Sequence, residues 1–432
     1  MSQGKILIKN TLIYAIGSFG SKALNFLLVP LYTIYLSRSE LGSYETILST
    51  LLLLAPISTL QIADGAYRWL LEESRLEKQI KILQNALICI VLGTVASLSI
   101  CAIIFKILEV EHTLLIIAMY FSFFMYKSFQ QFIRGLGYKK VYSIAGIIYS
   151  TVFCGLNIYL LAVQAWKIEA LFISQLLASL ICVIYFFIAV NLGRFFLTAY
   201  DYSYELSKKL FTYSLPLIPN AVSWWLINSV NIYLIAYFLG QDNNGLYGVS
   251  NRLAAILLSI NQIFNLAWQD SAILNFNSPD RIRFYSKTFN RFFIFEIIVL
   301  IIITIIIKPL VKFIIAPNYF ESWQYIPILL TGVVFSSFSA FYGTAYLCSK
   351  NTKGIFTTTL IGGAINILFT LFTIEKLGLY APALGTTFGF LTIWLLRMWY
   401  TRKYFKLKIN YPILALMSIF ASIVYFYIYN IL

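Results

Sequence analysis

Residues 289–315 read FNRFFIFEIIVLIIITIIIKPLVKFII, an apolar run charged only at Arg291, Glu296, Lys308 and Lys312. A helix needs about 20 such residues to cross roughly 30 Å of hydrocarbon, so this stretch reads as a membrane-spanning helix. Comparable runs lie near 11–36, 41–63, 82–108, 113–136, 141–164, 169–192, 211–239, 244–276, 324–347, 355–375, 380–400 and 411–431, thirteen spans in all. The composition agrees: of 432 residues 60% are hydrophobic and 11% charged, and the mean hydropathy is +0.81. Soluble proteins carry about 25% charge. The expected class is an all-α polytopic membrane protein, which excludes soluble enzymes, DNA-binding domains and secreted disulfide scaffolds.

The net charge of +15 follows from 32 Lys and Arg against 17 Asp and Glu. With the N-terminus in the cytoplasm, and residues near span ends such as Arg397 counted with the adjoining segment, 23 basic residues fall in inside segments and 6 in outside segments, while Lys22, Lys127 and Arg252 fall deep within spans. That is the positive-inside bias, and it accounts for the charge without nucleic acid. The expected location is a bacterial inner membrane, crossed many times. Five cysteines (Cys89, Cys101, Cys154, Cys182, Cys348) sit in apolar runs without metal-ligand spacing, and the only histidine is His112. No metal or cofactor is expected, and the first apolar run, broken by Lys22, does not read as a cleavable signal. The connecting loops are short, the longest being Asn191–Leu210. They leave no room for a soluble catalytic domain, so the chain is expected not to be an enzyme and to act between its helices.

The chain repeats. Leu36–Tyr44 reads LSRSELGSY and Leu239–Tyr247 reads LGQDNNGLY, an offset of 203; Gly155-Leu-Asn157-Ile matches Ala364-Ile-Asn366-Ile, and Ala170-Leu171 matches Ala383-Leu384. Six spans per half make parallel repeats, which usually enclose a site at their interface. The expected organisation is a six-helix lobe over 1–200, a second over 201–405 and an additional span over 406–432.

Polar residues recur at helical spacing inside the spans. Thr11, Tyr14, Ser18, Lys22 and Asn25 form one stripe; Tyr120, Lys127, Gln131 and Arg134 form another. Asn220, Trp224, Asn228 and Asn231 follow in span 7, and Arg252, Ser259, Gln262 and Gln269 in span 8. At the offset of 203, Asn25 corresponds to Asn228. Buried amides either link helices through hydrogen bonds or line a cavity, and Trp224 either anchors at the interface or stacks on a sugar ring. An intramembrane cation costs about 2.5–3.5 kcal/mol on insertion scales and faces protein or water. Lys22 and Arg252 have no carboxylate in register on their own spans, whereas the long side chain of Lys127 can also snorkel. The acids Glu45, Asp270 and Glu296 either pair with these cations or carry a coupling proton. Kinks are expected at Pro30 and at Pro216 and Pro219.

Asn10-Thr-Leu-Ile-Tyr-Ala-Ile-Gly-Ser-Phe-Gly-Ser-Lys22 resembles the start of Wzx-type polysaccharide flippases, which export O-antigen and capsule repeat units. So do Pro30-Leu-Tyr, Arg134-Gly-Leu-Gly137, Tyr213-Ser-Leu-Pro-Leu-Ile-Pro-Asn220 with Trp224-Trp225, and Asn265-Leu-Ala-Trp-Gln269. These flippases share a superfamily with the MATE multidrug exporters. The resemblance spans essentially the whole chain and implies two six-helix lobes around a cationic cavity. The implied passenger is an undecaprenyl-diphosphate-linked oligosaccharide moved from the cytoplasmic to the outer leaflet. Intramembrane cations are common in spans 1 and 8 of the family, at the places of Lys22 and Arg252. In span 7, where relatives often carry an Asp-Arg pair, this chain has Asn231-Ile232.

On this reading Lys22, Arg252 and Lys127 hold the diphosphate. Asn25, Asn220, Trp224, Asn228, Gln131 and Gln262 contact sugar or line the cavity, and Glu45, Asp270 and Glu296 are candidates for coupling. Expected partners are the lipid-linked oligosaccharide, membrane lipids, and the polymerase and glycosyltransferases of the same pathway, with the protein a monomer. One alternative, a MATE-like drug exporter, calls for buried carboxylates. The other, a polysaccharide polymerase or lipid-dependent glycosyltransferase, calls for a large or acidic outer loop, which Ser37–Leu41 does not supply.

Overall fold

The computed structural model describes residues 27–196, 202–349, 353–402, 404–408, 410 and 412. The first expected span is therefore described only from residue 27, and the last lies outside the described residues except for residue 412.

All regular structure among the described residues is helical. The N-terminal series runs α1 (27–35), α2 (Arg38–Ser58), α3 (Ile62–Glu72), α4 (Leu76–Ile107), α5 (Thr113–Gly135), α6 (Lys139–Ile158), α7 (Ile168–Val190) and the short α8 (Gly193–Phe196). Then come α9 (Tyr204–Ser214), α10 (Leu217–Asn228), α11 (Val230–Phe238), α12 (Gln241–Leu274), α13 (Arg281–Ile314), α14 (Ile326–Cys348), α15 (Lys353–Leu377) and α16 (Tyr380–Thr401). Seven described helices are long and apolar enough to cross a membrane, and α9–α11, bent by 46°, adds an eighth as a broken span. The long α5, α12 and α16 are less apolar. Their buried faces carry polar groups, among them Ser122 and Ser128, Asn244 and Asn261, and Thr387 and Arg397. Some bond across helices, as Asn244 does to the Gly42 carbonyl and Asn261 to Ser337, while Ser122 bonds back to the Met119 carbonyl of its own helix. The protein is thus a multi-pass all-α membrane protein.

Two segments expected as loops contain helices. The basic stretch after span 2 begins inside α3, and the 191–210 segment contains α8 and the start of α9. Ser203 caps α9 by accepting from the Leu206 N–H, and Asn85 Oδ1 accepts from the Ser203 N–H (2.9 Å) and Ser207 Oγ (3.1 Å). Before α4, Glu73 Oε1 accepts from the Arg75 N–H at 3.0 Å, with Lys78 Nζ 3.5 Å from Oε2. The backbone donor first, and then Lys78, hold that loop carboxyl below the usual carboxylate range.

Packing divides the chain into two compact units. One takes the described residues up to Glu45 and from Leu226 onward; the other is Thr46–Trp225. The second unit is built on Leu83, Phe132, Cys182, Phe186 and Leu210. Tyr126 there stacks between Tyr149 (4.9 Å) and Phe186 (6.1 Å). In the first unit Trp268 stacks on Phe341 at 4.0 Å, and Phe293 stacks on Phe338 at 4.9 Å. Lipid removes the hydrophobic drive between spans, so ring packing and interhelical hydrogen bonds carry the association.

The bend in span 7 has a visible cause. Proline does not stand at the break between Asn228 and Val230. Instead Asn366 of α15 donates to the Ile227 carbonyl at 3.3 Å, a side-chain bond to the backbone at the break. Pro216 and Pro219 lie earlier, where α9 gives way to α10.

Candidate functional site

Arg252 projects from α12 with its side chain 23% exposed, and its Nε donates to Glu45 Oε1 at 2.6 Å. Its guanidinium lies over Tyr32 (5.3 Å) and Tyr44 (5.7 Å), while Nη2 has no acceptor among the described residues. The in-register carboxylate that α12 lacks is supplied by α2, 207 positions away in sequence. Glu45 fits there because residue 248 is glycine: a Cβ on Gly248 would stand 2.8 Å from Glu45 Cγ. Removing one partner of such a pair leaves a buried charge, at a cost of about 3–5 kcal/mol.

A second polar cluster in the same unit surrounds the bend of span 7. Asn231 Nδ2 donates to Asn366 Oδ1 (3.1 Å), Thr386 Oγ1 (2.9 Å) and the Pro382 carbonyl (3.0 Å), joining α11, α15 and α16. Beside it lies a narrow cavity of about 60 Å³ that Asn228, Tyr247, Asn251, Ser336 and Thr386 help to line. Asn231 thus joins an uncharged network.

The Thr46–Trp225 unit holds a roomier cavity of about 310 Å³. Lys127, Gln130 and Gln131 of α5 face Gln61 and Asp64 at the α2–α3 turn. Gln131 Nε2 donates to Asp64 Oδ1 at 2.6 Å, and Lys127 Nζ stands 3.4 Å from Gln130 Oε1. The ammonium also lies 5.2 Å from the Tyr126 ring centre and 5.5 Å from that of Phe123. A wider hollow of about 550 Å³ in this unit is lined by Trp69, Glu205, Lys208, Lys209, Thr212 and Tyr213.

The remaining expected residues are scattered. Glu296 is fully buried; its Oε2 accepts from Asn261 Nδ2 at 3.1 Å, and its Oε1 has no donor among the described residues. Gln262 and Asp270 lie on the exposed face of α12, and Asn220 is exposed on α10. Trp224 is 39% exposed, whereas Trp225 donates its indole N–H to the Ser49 carbonyl at 2.9 Å. Lys22 and Asn25, with their stripe, lie outside the described residues. Sequence reading overlooked Asp64, which sits just past the end of span 2. It also counted Arg397 with the cytoplasmic basic residues. Arg397 is buried inside α16, donating to Thr358 Oγ1, Thr359 Oγ1 and the Ser339 carbonyl, each at 3.1 Å. Its position inside an apolar run was the available signal.

Fold and polar interior together define a multi-pass helical membrane protein with ion pairs and amide networks between its spans. A family model described as "Polysaccharide biosynthesis protein" matches residues 7–272, and the chain belongs to that family. It is 22% identical over 263 residues to an uncharacterized membrane protein of Methanocaldococcus jannaschii, a match covering 57% of this chain and 51% of that protein. The chain thus spans about half the length of that relative. Among solved structures it is similar to the lipid II flippase MurJ in an inward closed conformation, with a TM-score of 0.76, 15% identity, and coverage of 97% of this chain and 92% of that one. It is also similar to an inward-facing MATE family multidrug resistance transporter of the MOP superfamily, with a TM-score of 0.71, 13% identity, and coverage of 88% and 94%. The chain has the fold that these two share.

Proposed function

We propose that the protein is a flippase that moves an undecaprenyl-diphosphate-linked oligosaccharide repeat unit, as for O-antigen or capsule, from the cytoplasmic to the outer leaflet of a bacterial inner membrane. Membership of the polysaccharide biosynthesis family and a fold shared with a lipid II flippase support it. The observation that carries it is Arg252, an intramembrane guanidinium held by one carboxylate and with Nη2 still lacking an acceptor. A diphosphate offers the same oxygen acceptors as Glu45 and more charge, so it can take the carboxylate's place. Lys22 joins Arg252 at the diphosphate, and the amides and aromatic rings of the spans meet the sugars. The two halves, 1–200 and 201–405, alternate access, with 406–432 an added span, and the polyprenyl tail stays in lipid.

The test is surface glycan in a flippase-deficient host. Lys22→Ala and Arg252→Ala should each slow export by one to three decades, because losing one partner of a desolvated anion costs about 2–5 kcal/mol. Lys406→Ala, an exposed cation, should export like the unaltered protein. Normal export by both cavity variants at normal membrane levels would overturn the reading. One observation favours a second reading, export of an organic cation: Glu296 is a buried carboxyl without a cation partner among the described residues. Failure to restore glycan, together with drug resistance that depends on Glu296, would select it.

A further inference from the structure

We infer that the cavity between α5 and the α2–α3 turn is a sugar-binding site, taking one or two rings of the passenger's glycan; this rests on the flippase reading above. At about 310 Å³ it lies at the small end of ligand pockets, which run from about 300 to 1,000 Å³, and it far exceeds a desolvated ion. Its lining matches a polyol. A sugar hydroxyl both donates and accepts, so a site for it needs both kinds of partner. Asp64 accepts; Lys127, expected from sequence at the diphosphate, donates to the glycan here instead; and the amides of Gln61, Gln130 and Gln131 do both. Tyr142, half-buried at its edge, adds apolar ring surface for the C–H face of a pyranose.

Charge argues against the simpler occupants. The cavity holds one carboxylate and one ammonium, and neither forms an ion pair among the described residues. An inorganic anion would meet Asp64 and a metal ion would meet Lys127, whereas a neutral polyol can bond to both. The polar groups are also held in place. Asp64 orients the Gln131 amide at 2.6 Å, and the rings of Phe123 and Tyr126 flank Lys127. At the turn, Leu60 (φ 52°) and Gln61 (φ 53°) both adopt the left-handed region, which is unfavourable for a leucine. Residues on both sides of that turn, Thr59 before it and Asp64 after it, line the cavity, and such strain persists only where the surroundings over-determine it.

The experiment measures binding to purified protein in nanodiscs. The probes are the lipid-linked saccharide fraction extracted from the cells that make the protein, and undecaprenyl diphosphate alone. Asp64→Asn and Lys127→Met should each weaken the saccharide-bearing lipid about tenfold or more, the effect of one charge-assisted hydrogen bond, and leave the bare diphosphate unchanged. Because either variant can also disturb folding, a second measurement uses Gln130→Cys in a version lacking the five native cysteines. Its modification by a thiol reagent should be slowed by the saccharide-bearing lipid and not by undecaprenyl diphosphate. Equal weakening of both lipids, or no protection of the cysteine, overturns the sugar site while the flippase reading stands. Binding of neither lipid by the unaltered protein overturns both.

Discussion

Gly42 and Gly245, 203 residues apart at matching places in LSRSELGSY and LGQDNNGLY, each pack against the other's helix. A Cβ on Gly42 would run into the Gln241 carbonyl, and a Cβ on Gly245 into the Arg38 carbonyl. Arg38 and Gln241 are themselves equivalent at the same offset, so the contact is reciprocal. Asn244 secures it by donating to the Gly42 carbonyl at 3.1 Å. The sequence match LSRSELGSY and LGQDNNGLY therefore marks two helix starts that meet backbone to backbone. One turn further on, equivalent positions diverge. Residue 45 is glutamate where 248 is glycine, and that asymmetry makes room for the Glu45–Arg252 pair.

This contact predicts that Gly245→Ala is destabilising out of proportion to its size. The new methyl meets backbone, which cannot rotate away, and overpacking of this kind costs about 1–3 kcal/mol. Gly146→Ala, where a Cβ meets open space, should be neutral or slightly stabilising, since alanine is the better helix former. Thermal unfolding of the two variants in detergent compares them directly. Equal melting temperatures would show that α2 and α12 can move apart freely.

The Arg252–Glu45 pair predicts a rescue. Arg252→Ala alone leaves Glu45 unpaired and should lower membrane levels, by the roughly 3–5 kcal/mol of a broken buried pair. Adding Glu45→Ala should restore the level, because no buried charge is then stranded. If the guanidinium holds the diphosphate, the double variant stays deficient in export despite its normal abundance. Arg252→Lys should be milder than Arg252→Ala, as charge survives while the forked donor is lost. Full export by the double variant would make the pair purely structural.

Glu296 offers the opposite expectation. Its carboxyl serves one amide donor, Asn261, which Ser337 also holds at 2.5 Å. Glutamine keeps an acceptor for that bond and carries no charge, so Glu296→Gln should leave abundance and glycan export within about twofold of normal, in keeping with a change below 0.5 kcal/mol. Loss of export at normal abundance would instead assign Glu296 to proton coupling.

The distribution of basic residues predicts the sidedness. Lys208→Cys, beside the Trp69–Tyr213 ring pair (5.4 Å), should resist a membrane-impermeant thiol reagent in intact cells when the native cysteines are absent. Labelling from outside would reverse the orientation and place the Lys208–Lys209 hollow on the outer face.

The sequence by itself determined the membrane class and the positions of most of the long helices. Each of these is a local sum: the apolarity of about 20 consecutive residues decides a span, and α5, α7, α14, α15 and α16 begin and end within about two residues of the runs read for them. Helical spacing likewise put Lys127 and Gln131 on one face. Tertiary structure alone decided what those faces meet. Arg252 found its carboxylate 207 residues away, Asn231 its amide partner 135 away, and Gln131 its acceptor 67 away at Asp64. No periodicity encodes such partners. They depend on which helices pack together, on a missing side chain at Gly248, and on a left-handed turn at Leu60 and Gln61. In lipid, where apolar surfaces do not choose one another, those polar and steric fits select the neighbours.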